Sequence, residues 1–155
     1  MKENEIRPIR GIIPKSIDDM CLLDDLFFAA SMHDNAEAAE SIIPTILGMP
    51  GLRVESCRIQ RRTPNDDPGG KDVILDALAV SPDGTRFDVE VQKAKEDGYV
   101  QRARYYLSSL TCESLGKGEG YASLKPVYVI FPTAWRPFGG DEPVYHYEVT
   151  RHDHP

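Results

Sequence analysis

A chain of 155 residues with 41% hydrophobic, 8% aromatic and 28% charged residues is long enough to bury the core of one domain, which excludes disordered, collagen-like and disulfide-scaffold classes. Cys21, Cys57 and Cys112 are an odd number without close spacing, no run reaches the roughly 20 apolar residues of a membrane span, and residues 1–5 lack the apolar stretch of a signal peptide. A cytoplasmic protein in a reducing compartment, without membrane contact, is expected. The net charge of −7 speaks against a polyanionic partner, yet residues 53–104 hold ten of the 18 Lys+Arg and ten of the 25 Asp+Glu, so all net acidity lies outside that central segment.

Residues 1–15 contain Pro8 and Pro14 and no sustained periodicity, and read as a loose arm; residues 16–150 are expected to form a single domain and 151–155 a disordered tail. Ser16 with Asp19 resembles a capping arrangement, opening a helix in which Met20, Leu23, Phe27 and Phe28 recur at helical spacing to about Ser31. Ala36, Ala39, Ile43, Ile46 and Leu47 predict a second helix, with Pro44 as a kink or early end and Gly48 as the stop. Residues 52–62 alternate imperfectly, as in an exposed strand, and residues 63–70 are a loop. A strand over 72–80, whose interior acid is Asp76, is joined by the turn Ser81-Pro82-Asp83-Gly84 to another over 85–92. Val100, Ala103, Leu107 and Leu110 mark a third helix over 96–112, and residues 127–131 and 144–149 read as two further strands. The order is α-α-β-β-β-α-β-β, an α/β chain without internal repeats.

In the strand over 85–92, Phe87, Val89 and Val91 point to one face and Asp88, Glu90 and Gln92 to the other. A three-residue hairpin loop with Gly84 in the left-handed conformation sets Asp76 directly across from Glu90, whereas a two-residue loop sets it against Val91 and on the opposite face from Glu90. Facing carboxylates roughly 5 Å apart repel unless one is protonated or a divalent cation lies between them, and oxygen ligands favour magnesium or manganese over zinc. A solvated sheet face is the other reading of Asp76, Asp88 and Glu90, and the pattern alone leaves both open.

Several blocks together resemble the recombination-promoting nuclease and transposase group of the PD-(D/E)XK nuclease superfamily. They are Asp24-Asp25-Leu26-Phe27-Phe28, Leu75-Asp76-Ala77, Asp83-Gly84, Val89-Glu90-Val91-Gln92, Arg102-Ala103-Arg104-Tyr105-Tyr106-Leu107-Ser108-Ser109-Leu110, Gly118-Glu119-Gly120-Tyr121 and Leu124-Lys125-Pro126-Val127, in that order over most of the chain. The resemblance implies a restriction-endonuclease-like fold, a mixed central sheet flanked by helices. It also implies a metal-dependent DNA endonuclease linked to transposition or recombination, with Mg²⁺ as cofactor and Mn²⁺ as a substitute. Asp76 and Glu90 match the acidic metal ligands and the backbone carbonyl of Val91 a further one. Gln92 stands where the wider superfamily usually has lysine, and Leu75 where the motif name has proline. A neutral amide can orient water but supplies neither positive charge nor a base, so Gln92 is expected to position water or substrate.

Arg102 and Tyr106, four apart, share one helix face and could meet a phosphate and a sugar or base of DNA; an exposed basic helix surface is the alternative. Arg53, Arg58, Arg61 and Arg62 could line a nucleic-acid channel, although Arg61-Arg62 fits a solvated strand end better. Asp25 could approach the metal site, with a surface or capping role as the plainer expectation. His152-Asp153-His154 reads as part of the tail rather than a metal site, and Trp135 as buried under a proline-rich loop rather than stacked on a base. Two rival readings are a catalytically weak or inactive nuclease-fold module that binds DNA or a protein partner, and a piece of a longer nuclease. Assembly into a homodimer is left open.

Overall fold

The structure is a computed structural model that describes residues 20–63 and 70–148. The arm over 1–15, the Ser16 and Asp19 pair, residues 64–69 of the loop and the tail with its two histidines lie outside the described residues.

Helix α1 spans Asp25–Met32 and starts later than its periodicity suggests. Asp24 is extended at φ −85° and ψ 120°, its amide donates to the Cys21 carbonyl at 2.9 Å, and the Cys21 amide donates back to its carboxylate at 2.8 Å. Residues 21–24 therefore close a turn of their own, and Met20 and Leu23 precede the helix. Helix α2 runs over Ala36–Leu47, capped by the Asn35 side chain at the Ala38 amide. Pro44 sits inside it without ending it, and Gly48, at φ 64°, provides the left-handed stop.

Strands β1 (Ser56–Thr63), β2 (Val73–Val80), β3 (Arg86–Val89) and β4 (Val127–Ile130) form one sheet in the order β1-β2-β3-β4. The first two junctions are antiparallel and β3–β4 is parallel. A parallel pair needs a long crossover, supplied here by helix α3 (Tyr99–Glu113) and the segment after it. The chain is thus a mixed α/β fold, a four-stranded mixed sheet flanked by helices, as expected. The expected last strand is absent among the described residues: 144–148 follow Pro143 and pair with no strand, and Tyr145 and Tyr147 instead pack their rings on Phe138.

The hairpin register is the one that the three-residue loop requires. Val80 pairs with Arg86, Ala79 with Phe87 and Ala77 with Val89, Gly84 has φ 87°, and the Ser81 and Gly84 amides close the turn on Thr85 and Ser81.

Helices α1 and α2 cover one face of the sheet, burying Phe28, Met32, Ala39 and Ile43 against Cys57, Ala77, Ala79, Phe87 and Val89. Helix α3 covers the other, with Leu110 on Leu78 and with Val127 and Val129 at its margin. Residues two apart in a strand share a face, yet Val73 and Leu75 join the α3 side while Ala77 and Ala79 lie under α1 and α2. The same change occurs in β1, where Ile59 packs toward α1 and α2 while Arg61 and Thr63 bond Glu113 of α3. The strand pair turns over between these positions, at Gln60 and Asp76. Gln60 is in the left-handed region at φ 49°, and the rung that it would form with Asp76 is missing from an otherwise continuous ladder.

Candidate active site

The turnover at Asp76 and the end of the β2–β3 ladder after Ala77–Val89 coincide, and main-chain donors are released there. The Asp76 amide, without a rung to Gln60, donates to Glu90 Oε1 at 2.7 Å. The Val91 amide donates to Asp76 Oδ2 at 3.2 Å. Each carboxylate is therefore pinned by a backbone amide of the other's strand. Beyond Val89, the chain keeps its partner on the opposite side: the Glu90 amide bonds Ile130 O at 2.8 Å and the Gln92 amide Pro132 O at 2.9 Å.

Asp76 and Glu90 open into a cavity of about 270 Å³, also lined by Asp25, Gln60, Gln92, Arg102 and Tyr106. Every side chain expected at the site therefore borders one space, and the two carboxylates share one face. Val91 borders it as well, but its carbonyl accepts from Gln92 Nε2 at 2.9 Å, which leaves the Gln92 amide oxygen free to accept from water.

The electrostatics are those of acids crowded out of water. Burial, followed by repulsion from Asp25, pushes the Asp76 carboxyl up to about 6 against the Val91 amide and Arg102. Burial and then Asp76 push Glu90, only 3% exposed, up to about 7. Beneath them lies Asp88, 0% exposed, raised well above the carboxylate range by burial and by Glu90. No amide, hydroxyl or cationic donor reaches its carboxyl oxygens among the described residues, and its side chain faces the Glu90 carboxyl. Among the described residues four acids, Asp25, Asp76, Asp88 and Glu90, face one cation, Arg102, which favours either protons or a divalent ion.

The donor set is small and all oxygen. Among the described residues, no three His, Cys, Asp or Glu side chains gather closely enough to cage a metal by themselves. Two carboxylates and a carbonyl suit Mg²⁺, which keeps several waters and is commonly held by one or two carboxylates together with substrate phosphates.

Arg102 is held from three sides. Its guanidinium lies 4.9 Å from the Phe131 ring centroid and 6.0 Å from that of Tyr106, and Nη1 bonds Glu96 at 3.1 Å. Nε and Nη2 are sheltered from solvent and have no hydrogen-bond partner among the described residues. By contrast, Arg53, Arg61 and Arg62 pair with Glu40, Glu113 and Asp72, and none of the three borders the cavity. Trp135 is half-buried against the edge of Tyr99.

A family model described as PD-(D/E)XK nuclease family transposase matches residues 28–149. The chain belongs to this family. No curated protein and no solved structure gives a significant match. For this PD-(D/E)XK family member, the matched segment contains Asp76, Glu90, Val91, Gln92, Arg102 and Tyr106, and leaves Asp25 outside.

Two contributors were not singled out by sequence. Asp88 was readable as a third acid from its parity with Glu90, but its depth follows from Leu78 and Val129 on either side of it in the sheet. Gln60 carried no local signal, because glutamine has no preference for the left-handed region.

Proposed function

We propose that the protein is a divalent-metal-dependent nuclease that hydrolyses phosphodiester bonds of DNA in transposition or recombination, acting in the cytoplasm, with Mg²⁺ or Mn²⁺ at Asp76, Glu90 and the Val91 carbonyl. The observation that carries the reading is the reciprocal pinning of Asp76 and Glu90 by each other's main chain, in a cavity that also holds an arginine with unpaired N–H groups, in a member of a nuclease family. Asp76, Glu90 and the Val91 carbonyl would hold the cation, which would polarise the scissile phosphate and lower the pKa of the attacking water. The amide oxygen of Gln92 would orient that water. Arg102, held between two rings at the cavity wall, sets its positive charge toward a phosphate, and Tyr106, one turn away, lies against the adjoining sugar or base.

One arrangement favours the rival reading of a nuclease-fold module that binds DNA or a protein without cutting. Gln92 brings no charge, and the neighbouring Lys93 is drawn off to Asp24 rather than toward the acids.

Plasmid cleavage by the purified protein with Mg²⁺, Mn²⁺ or EDTA, run beside Glu90→Gln, separates the two. Nicking or linearisation is expected with either cation and not with EDTA, and a loss of about a thousandfold in Glu90→Gln, on the order of 4 kcal/mol. DNA binding without cleavage under both cations would replace the nuclease by the binding module.

A further inference from the structure

We infer that Gln60 is a positioning residue of the site, acting through its backbone: its left-handed conformation withholds the β1 rung from Asp76 and so directs the Asp76 amide to the Glu90 carboxylate. This deepens the reading of Asp76 and Glu90 as the ligand pair and rests on it.

Three observations converge on the same point of the sheet. Among the described residues, only Asp34 and Gln60 are non-glycine residues with positive φ, at 48° and 49°. Asp34 lies in the turn between α1 and α2, and aspartate tolerates this region through its short polar side chain. Gln60 lies inside a strand, where such a conformation is unfavourable for a long side chain and persists only when the surroundings impose it. The β1–β2 ladder pairs Ile59 with Ala77 and Arg61 with Leu75 but omits Gln60 and Asp76, so the strain interrupts pairing at one rung without shifting the register. The amide released by that omission is the one that bonds Glu90 Oε1 at 2.7 Å. The change of face also centres here: Leu75 packs on the α3 side and Ala77 on the α1–α2 side, and Asp76 between them borders the cavity. The exposed Gln60 side chain borders the same cavity, so a direct role of its amide is the competing explanation that the test must separate.

Backbone and side-chain roles diverge under substitution. Gln60→Gly keeps the left-handed backbone at no steric cost and removes the amide. Gln60→Val is β-branched, resists positive φ and favours a regular strand, which restores the rung. The readout is the amide proton of Asp76 in metal-free protein, followed by NMR with and without Glu90→Gln. At a pH of about 8, where Glu90 is ionised, wild type and Gln60→Gly are expected to shift this proton when Glu90→Gln removes the charged acceptor, and Gln60→Val is expected to lose that response. Mn²⁺ affinity should stay within about twofold of wild type in Gln60→Gly and fall at least about tenfold in Gln60→Val, about 1.4 kcal/mol or more. If Gln60→Val does not fold, Gln60→Thr makes the same comparison with a milder β-branched side chain. A full amide response in the β-branched variant overturns the inference, as does its loss in Gln60→Gly, which would assign the role to the side-chain amide. A wild type that shows the amide response but binds no Mn²⁺ leaves the Gln60 assignment standing and removes the metal-nuclease reading.

Discussion

The two faces of the sheet are built for different ends. Under α1 and α2, the buried layer of Phe28, Met32, Ala39, Ile43, Ala77, Ala79, Phe87 and Val89 is apolar, with the Phe87 and Tyr128 rings stacked at 5.2 Å. Under α3, the same strands bury Asp88 and Glu90 beside Leu78 and Leu110, and Asp76 opens beside them. The first face contributes stability through apolar burial. The second gives some of it back by holding acids in a poorly hydrated space. The difference shows that the alternation of strands can set apolar cohesion on one face and acids on the other, with Asp25, Phe28 and Ala29 of α1 closing the cavity where the strands turn over.

The contrast breaks most visibly if a substitution on the apolar face disturbs the chemistry. Ile43→Ala, on α2 and away from the cavity, should cost about 2–5 kcal/mol of unfolding free energy, read from the urea midpoint, while cleavage per folded molecule stays at the wild-type level.

A pH series sharpens the other half. Asp76 and Glu90 rise to about 6 and about 7 in the folded protein from ordinary values of 3.8 and 4.5. The folded state therefore binds more protons than the unfolded chain across that window. Their contribution is fully present below the unfolded values and is lost as pH rises through the folded ones. In EDTA, stability should fall by on the order of 5 kcal/mol from about pH 4.5 to about pH 8, and Glu90→Gln should flatten the decline. A stability that rises across this window would contradict the crowding of acids under α3.

Smaller effects are expected from residues that act on substrate rather than on the fold. Gln92→Ala should lower turnover about ten- to a hundredfold, equivalent to roughly 1–3 kcal/mol, with Mn²⁺ affinity little changed, and Gln92→Lys should raise cleavage by restoring positive charge beside the phosphate. Arg102→Ala should weaken DNA binding and lower the salt slope by about 1, the loss of one phosphate contact. An unchanged slope would return Arg102 to the role of a surface residue tied to Glu96.

Much of this was legible in the residues. Pro82 and Gly84 marked the turn, and of the two loop lengths that they allow the three-residue one sets the register, whose last pair, Ala77 with Val89, leaves Asp76 and Glu90 side by side just beyond the ladder. Family resemblance singled out these residues among the polar positions of an ordinary sheet. What escaped were features set by tertiary context. Residues 144–148 alternate like a strand but pair with neither edge strand of the sheet, and the Tyr145 and Tyr147 rings pack on Phe138 instead. The start of α1 was displaced by the turn that Asp24 closes on Cys21. Asp25, whose approach to the site was the lesser of its two sequence readings, was brought to the cavity by the docking of α1 on the sheet. The conformation of Gln60 is of the same kind, since a local preference would have kept the strand straight.

The reciprocal amide bonds also bear on how such a site changes over generations. A hydrogen bond from a side chain can be erased by one nucleotide change, whereas the N–H groups of Asp76 and Val91 survive every replacement except proline. Anchors made of main chain let the wall around them vary, so that exchanges at Ile74 or Tyr106 alter what the cavity admits without removing what orients the acids. A lineage can then drift toward new nucleic-acid targets while the paired carboxylates stay in register.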